Sequence, residues 1–158
     1  MRNDRRRLPS QDGFTLIEAI VVMTILVVLA GASAASFTWL NQTTRIRSAA
    51  FDLVADLDFA RSEAIKRNAD VVVAPDTSWN NGWVITVGDT TLRQRGGLGA
   101  QVEFVSTPDT VTYDGGGRAT LANPGAFQLC PPTRGNLSGR TIQVDPSGRS
   151  RSSKSKCE

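Results

Sequence analysis

The segment Gly148-Arg149-Ser150-Arg151, followed by Lys154 and Lys156, gathers the side chains of this protein best suited to chemistry with a partner. Guanidinium forks match phosphate oxygens two at a time, and interleaved serines add hydrogen bonds. Arg140 lies near enough in sequence to join them. No aromatic residue interrupts the run, so stacking on single-stranded bases is not indicated. In an extended chain Arg149 and Arg151 are expected on opposite sides, and a turn at Pro146-Ser147-Gly148 is expected to bring both outward. The alternative is a solubilising charged tail.

A second distinctive site lies at the other end. Arg2, Arg5, Arg6 and Arg7 precede Gly13-Phe14-Thr15-Leu16-Ile17-Glu18, and no charge follows from Ala19 through Thr44. An ordinary secretory signal is cut after its apolar stretch, beside small residues. Here the glycine precedes that stretch, so cleavage after Gly13 removes residues 1–13 and leaves the apolar segment on the mature chain. Residues 14–40 suffice to span a bilayer, which takes about 20 apolar residues. The arginines mark the N-terminal side as cytoplasmic and send the remainder across the membrane. Glu18 stands out, because a carboxylate at the centre of a bilayer helix costs roughly 2.5–3.5 kcal/mol. Its shallow position relieves part of that cost. An ordinary signal-anchor helix is the alternative.

Beyond that membrane thiols oxidise, so Cys130 and Cys157 are read as a disulfide, the alternative being two free or metal-binding thiols. Two cysteines and no histidine make a zinc site a poor fit, and no metal or cofactor is expected. The bridge closes a loop of about 28 residues, which the chain-entropy model values at roughly 3.6 kcal/mol as an upper figure. Arg140, Arg149, Arg151, Lys154 and Lys156 all lie inside it, and it ties the polar tail back onto the last strands.

Enzymatic chemistry finds little support. Without histidine the usual general bases and triads are missing. A Ser–Lys pair in the tail lacks the buried pocket that would shift its pKa. Gly96-Gly97 and Gly115-Gly116-Gly117 lack the Lys-Ser/Thr of a P-loop and read as turns. Asp109 and Asp114 are too sparse for a calcium loop. No catalytic residue is expected.

The formal charge of +3 is unevenly spread. Residues 14–114 carry seven basic and eleven acidic groups, whereas residues 115–158 carry seven basic groups against Asp145 and Glu158. Such a split suggests a localised polyanion-binding surface.

These sites need a scaffold. Residues beyond the apolar segment suffice for one domain with a modest core. Ile46, Ala50, Leu53, Leu57, Ala60 and Ala64 recur at helical spacing, while Asp52, Asp56, Arg61, Glu63, Lys66 and Arg67 occupy much of the remaining surface. Glu63 and Arg67 stand at the supporting i,i+4 spacing. No proline interrupts residues 14–68, so residues 41–68 are expected to continue the apolar helix amphipathically. After Asn68 the period changes to two. Val71–Ala74, Trp83–Val87, Thr91–Gln94, Val102–Val105, Thr110–Tyr113, Phe127–Cys130 and Thr141–Val144 read as strands between turn residues. The expected class is α+β, with a long N-terminal helix packed on a mainly antiparallel β domain at 69–158 that ends in a basic loop.

The Gly13–Glu18 junction resembles the class III leader of type IV pilins and type II secretion pseudopilins. The block Ala60-Arg61-Ser62-Glu63-Ala64-Ile65-Lys66-Arg67-Asn68 with Trp79-Asn80-Asn81-Gly82-Trp83 is similar to the H-type pseudopilin and FimT group of minor pilins. The block reads as fold support, with Ala60, Ala64 and Ile65 in the core and Arg61, Glu63 and Lys66 on a solvated face. The resemblance implies cleavage by prepilin peptidase between Gly13 and Phe14, N-methylation of Phe14, and a filament role for Glu18 against the Phe14 ammonium of a neighbouring subunit. Many pilins carry a proline where Ala35 stands here, so helix melting on assembly is not implied. FimT-type pilins that serve natural transformation carry a G-R-x-R motif that residues 148–151 match, which implies sequence-independent DNA binding through Arg149 and Arg151, then Lys154, Lys156 and Arg140. The implied location is the bacterial inner membrane, with the C-terminal domain periplasmic and later exposed on a pilus among other pilins. A structural subunit, either a pilus-assembly primer or an H-type pseudopilin of type II secretion, is the alternative.

Overall fold

The computed structural model describes residues 13–122, 125–132 and 138–157, with the side chains of residues 32–40 and 122 outside that set. The arginine leader therefore lies outside the described residues, as does Arg134.

Helix α1 runs from Leu16 to Arg67, 52 residues, close to the expected extent. Thr15 caps its start: the Glu18 amide donates to Thr15 Oγ1 at 3.3 Å, and the Ala19 amide donates to the Thr15 carbonyl at 3.2 Å. Thr15-x-x-Glu18 has capping-box spacing, and a carboxylate in the first turn meets the positive end of the helix dipole. At the far end Asn68 adopts a left-handed conformation, φ 49°. The Asn68 amide donates to the Ile65 carbonyl and the Ala69 amide to the Ala64 carbonyl, which together form a Schellman stop.

The chain divides into two compact units, Met1–Thr38 and Trp39–Glu158. In the first, the apolar side chains from Leu16 to Leu29 are exposed. Among the described residues no helix is long and apolar enough to cross a membrane. The expected span of 14–40 includes residues 32–40, whose side chains are outside the described set.

In the second unit nine strands form two antiparallel sheets among the described residues. Strands β1 (Val71–Pro75), β2 (Gly82–Val87), β3 (Thr90–Gly96), β5 (Thr110–Tyr113) and β6 (Ala119–Ala122) make a sheet of order β3-β2-β1-β5-β6. Strands β4 (Glu103–Ser106), β7 (Phe127–Cys130), β8 (Ser138–Val144) and β9 (Ser150–Lys156) make the other, in order β4-β7-β8-β9.

The helical residues chosen from spacing, Ile46 through Ala64, are all buried. They meet Val71, Val73, Ile85, Val111 and Tyr113 from the first sheet and Phe127, Leu129 and Ile142 from the second. Burying a side chain such as Leu53 or Leu57 contributes about 1.5–3 kcal/mol. Trp79 and Phe127 meet edge to face at 4.7 Å, and the Trp79 indole donates to the Pro108 carbonyl at 2.9 Å, so its polar atom is satisfied inside the core.

Besides Arg61, taken up below, three positions differ from the helical pattern. Ile65, assigned to the core, is 51% exposed. Glu63 is nearly buried, held by Arg67 at 2.7 Å and Lys66 at 3.3 Å. Asp56, assigned to the surface, is fully buried. It accepts hydrogen bonds from Trp83 Nε1 at 2.9 Å, Arg93 Nη1 at 2.7 Å and Arg95 Nε. Burial alone would raise its pKa, but the bonds from Arg95, Arg93 and Trp83 outweigh it and hold the carboxyl below its ordinary value. Asp56 thereby fastens α1 to β2 and β3.

Candidate nucleic-acid interface

The tail expected as a basic loop is mostly a strand. β9 pairs with β8 along its full length, from Ser138 opposite Lys156 to Val144 opposite Ser150. It contains no apolar side chain, so backbone pairing and a covalent link hold it. The link is the expected Cys130–Cys157 disulfide, with Cα atoms 5.8 Å apart. It passes over Gly139 of β8, where a Cβ would collide with the Cys157 sulfur.

The β8–β9 connection is a tight hairpin. The Gly148 amide donates to the Asp145 carbonyl at 2.7 Å, and the Asp145 amide donates to the Arg149 carbonyl at 2.9 Å. Gly148 sits at φ +79°, the left-handed position that completes a three-residue loop with a glycine bulge.

The pleat corrects the expected placement of the arginines. Residues two apart along a strand point to the same face, so an extended chain does not set Arg149 and Arg151 apart. What separates them is the turn. Arg149, just before β9, lines a cleft of about 400 Å³ beside α1, with Asp58, Arg61, Ser62, Ile65 and Ser150. Arg151, opposite Gln143, stands 3.9 Å from the Asp145 carboxylate.

Arg140 lies directly opposite Lys154, and Lys156 shares their face two residues on. Arg140 Nη1 donates to Ser152 Oγ at 3.4 Å. Among the described residues no carboxylate pairs with Arg149, Lys154 or Lys156, and all three are exposed. The five cations therefore form no single plane. They border both sides of one sheet edge, because β9 is the outermost strand.

Arg61, assigned to a solvated face, is half-buried and donates to two carbonyls, Gly117 at 2.9 Å and Ser147 at 3.1 Å. Spacing alone gave no signal for this, since both acceptors are backbone atoms far along the chain. Among the described residues no group of three metal-ligating side chains stands close enough to hold an ion. At the N-terminus, Gly13 and Phe14 precede α1 in the open, and Glu18 is exposed in its first turn.

A long helix stacked on two antiparallel sheets, with an exposed apolar N-terminal stretch, is the pilin fold. The chain belongs to the family described as type II transport protein GspH, whose model matches residues 49–148. The prokaryotic N-terminal methylation motif matches residues 8–34. Two crystal structures of the Pseudomonas aeruginosa PAO1 type IV minor pilin FimU are similar, each at 27% identity over 68% of this chain. They give TM-scores of 0.56 and 0.55 and are covered over 87% and 91% of their own lengths. No curated protein sequence matches significantly. The protein is thus a minor pilin or pseudopilin of the type IV pilus or type II secretion kind. Its family and its methylation motif imply prepilin processing, membrane anchoring and association with other pilins.

Proposed function

We propose that this protein is a FimT-like minor pilin that binds DNA without sequence preference for uptake in natural transformation. The observation that carries this is the edge formed by β8, β9 and their turn. Arg149, Lys154 and Lys156 are exposed without a carboxylate partner among the described residues, and Arg140 faces Lys154 directly. Like charges opposite one another across two strands are destabilising, so their pairing is explained by an external anion. Phosphate contacts fix position and carry no direct sequence information, which suits a receptor for arbitrary DNA.

Delivery to the filament follows the N-terminal segment. Prepilin peptidase cuts between Gly13 and Phe14, Phe14 is N-methylated, and residues 14–40 hold the chain in the inner membrane with the β domain in the periplasm. Glu18 then meets the Phe14 ammonium of a neighbouring subunit in the filament. Mass measurement of the mature chain tests the cut, and a start near residues 30–36 would overturn it.

Full-length protein in detergent micelles, titrated with a fluorescent DNA duplex, tests the interface. Affinity is expected to fall with salt at a log–log slope of about −0.9 per phosphate contacted. Replacing Arg149 and Arg151 together by Gln should weaken binding and flatten that slope. Undiminished binding by the double variant relocates the interface. No binding by the wild type at low salt favours a purely structural subunit, the second reading, which the family description and the likeness to FimU support.

A further inference from the structure

Two loops far apart in sequence converge on one turn of α1. Arg61 Nε reaches the Gly117 carbonyl in the β5–β6 turn, and Arg61 Nη2 reaches the Ser147 carbonyl in the β8–β9 turn. Three residues earlier on the same helical face, Asp58 accepts a hydrogen bond from Ser150 Oγ at 2.7 Å. The Ala119 amide donates to the Pro146 carbonyl at 3.1 Å, tying the two turns to each other. Their glycines, Gly117 at φ +76° and Gly148 at φ +79°, allow this closeness. A Cβ on Gly148 would strike the Gly117 carbonyl oxygen and come within 2.9 Å of Arg61 Nε. Arg149 therefore sits between two fastened neighbours, the Ser147 carbonyl on one side and the Ser150 hydroxyl on the other.

We infer that Arg61, with Asp58 as the lesser partner, is a positioning residue for DNA binding that presets Arg149 toward a phosphate. This rests on the DNA-binding reading above. Ordering a loop before the ligand arrives removes that entropy cost from the binding step. The guanidinium of Arg61 is engaged with two carbonyls, so it acts through the backbone of the turn and not as a phosphate contact. The glycine of the Gly148-Arg149-Ser150-Arg151 segment has the same purpose: it lets the turn dock on Arg61.

The test uses full-length protein in detergent micelles, a fluorescein-labelled DNA duplex, and hydrogen exchange without DNA. Arg61→Gln is expected to bind about tenfold more weakly at fixed salt, as loss of a charged hydrogen-bond pair implies. Its log–log salt slope should stay at the wild-type value, whereas Arg149→Gln should flatten the slope by about 0.9. Arg61→Lys keeps the charge but loses the planar fork, so it should stay weak. Amide exchange should quicken at residues 147–150 in both variants and stay unchanged in β7. Ser150→Ala, a milder change that serves if the Arg61 variants misfold, should weaken binding about threefold. Full affinity in Arg61→Lys, a slope flattened by about 0.9 in Arg61→Gln, or unchanged exchange at 147–150 would each overturn the inference. Absence of DNA binding by the wild type is a separate result: it removes the DNA-binding reading, and this inference with it.

Discussion

The two sheets use arginine in opposite ways. In the first, Arg93 and Arg95 of β3 converge on the buried carboxylate of Asp56, and Arg93 also lies over the Phe59 ring at 3.7 Å. Their charge is spent inside the fold, joining helix to sheet. In the second, the cations of β8, β9 and the turn before β9 border a sheet edge with few acidic neighbours among the described residues. Among the described residues Arg151 has only the distant Asp145, and Arg140 shares its surroundings with Lys154. The number of arginines thus says little about binding. What separates the regions is whether a carboxylate has been placed to meet them.

This contrast can be broken in several ways. The largest effect is expected from replacing Cys130 and Cys157 together by Ser. Cysteines 27 residues apart give a chain-entropy stabilisation of about 3.6 kcal/mol at most. Denaturant unfolding should show most of that loss, with DNA affinity falling as well because β9 loses its tether. Asp56→Ala should cost about 3 kcal/mol, since it strands the Trp83 indole and two arginines. DNA affinity under folded conditions should be unaffected, and a matching fall would show that the sheets do not act independently. Acid gives a gentler version of the same experiment. Folding lowers the Asp56 pKa, so its contribution is complete above the unfolded value of about 3.9 and is lost as pH falls through the lower folded value. The same holds for Glu63, whose carboxyl is lowered first by Arg67. Unfolding midpoints should therefore drop below about pH 4 in the wild type and respond less in Asp56→Ala. The smallest stability change, within about 0.5 kcal/mol, is expected for Arg149→Gln with Arg151→Gln, because both side chains are exposed. That variant should affect DNA binding alone.

Much of this division was legible from residue order. The apolar spacing from Ile46 to Ala64 marks the buried face, and the alternation in Thr110–Tyr113 and Phe127–Cys130 gives β5 and β7 with their observed bounds. The cysteine pairing followed from the expected compartment. Asp56 was misplaced because its partners, Trp83, Arg93 and Arg95, lie 27 to 39 residues away, and only folding reveals that they converge. Arg61 was misread for a similar reason, as its acceptors are main-chain carbonyls that every residue type offers. Strand β9 escaped notice because a run of Ser, Lys and Arg has no hydrophobic period. Its register is dictated by β8, not by its own sequence. Strand β6, Ala119–Ala122, has no β-branched or aromatic run and so gave no strand signal of its own.

The disulfide has a consequence for timing. A strand with nothing to bury is held by backbone pairing and a few side-chain hydrogen bonds until its far end is covalently tied, so its order depends on the redox state of its surroundings. In a reducing cytoplasm, where nucleic acid is abundant, the basic edge would stay unassembled. In an oxidising compartment the bond would complete it. On the DNA-binding reading proposed above, the bond would then set when the edge becomes adhesive as well as brace it. Reduced protein is accordingly expected to lose amide protection in β9 before any other strand, and simultaneous loss in β9 and β1 would contradict this.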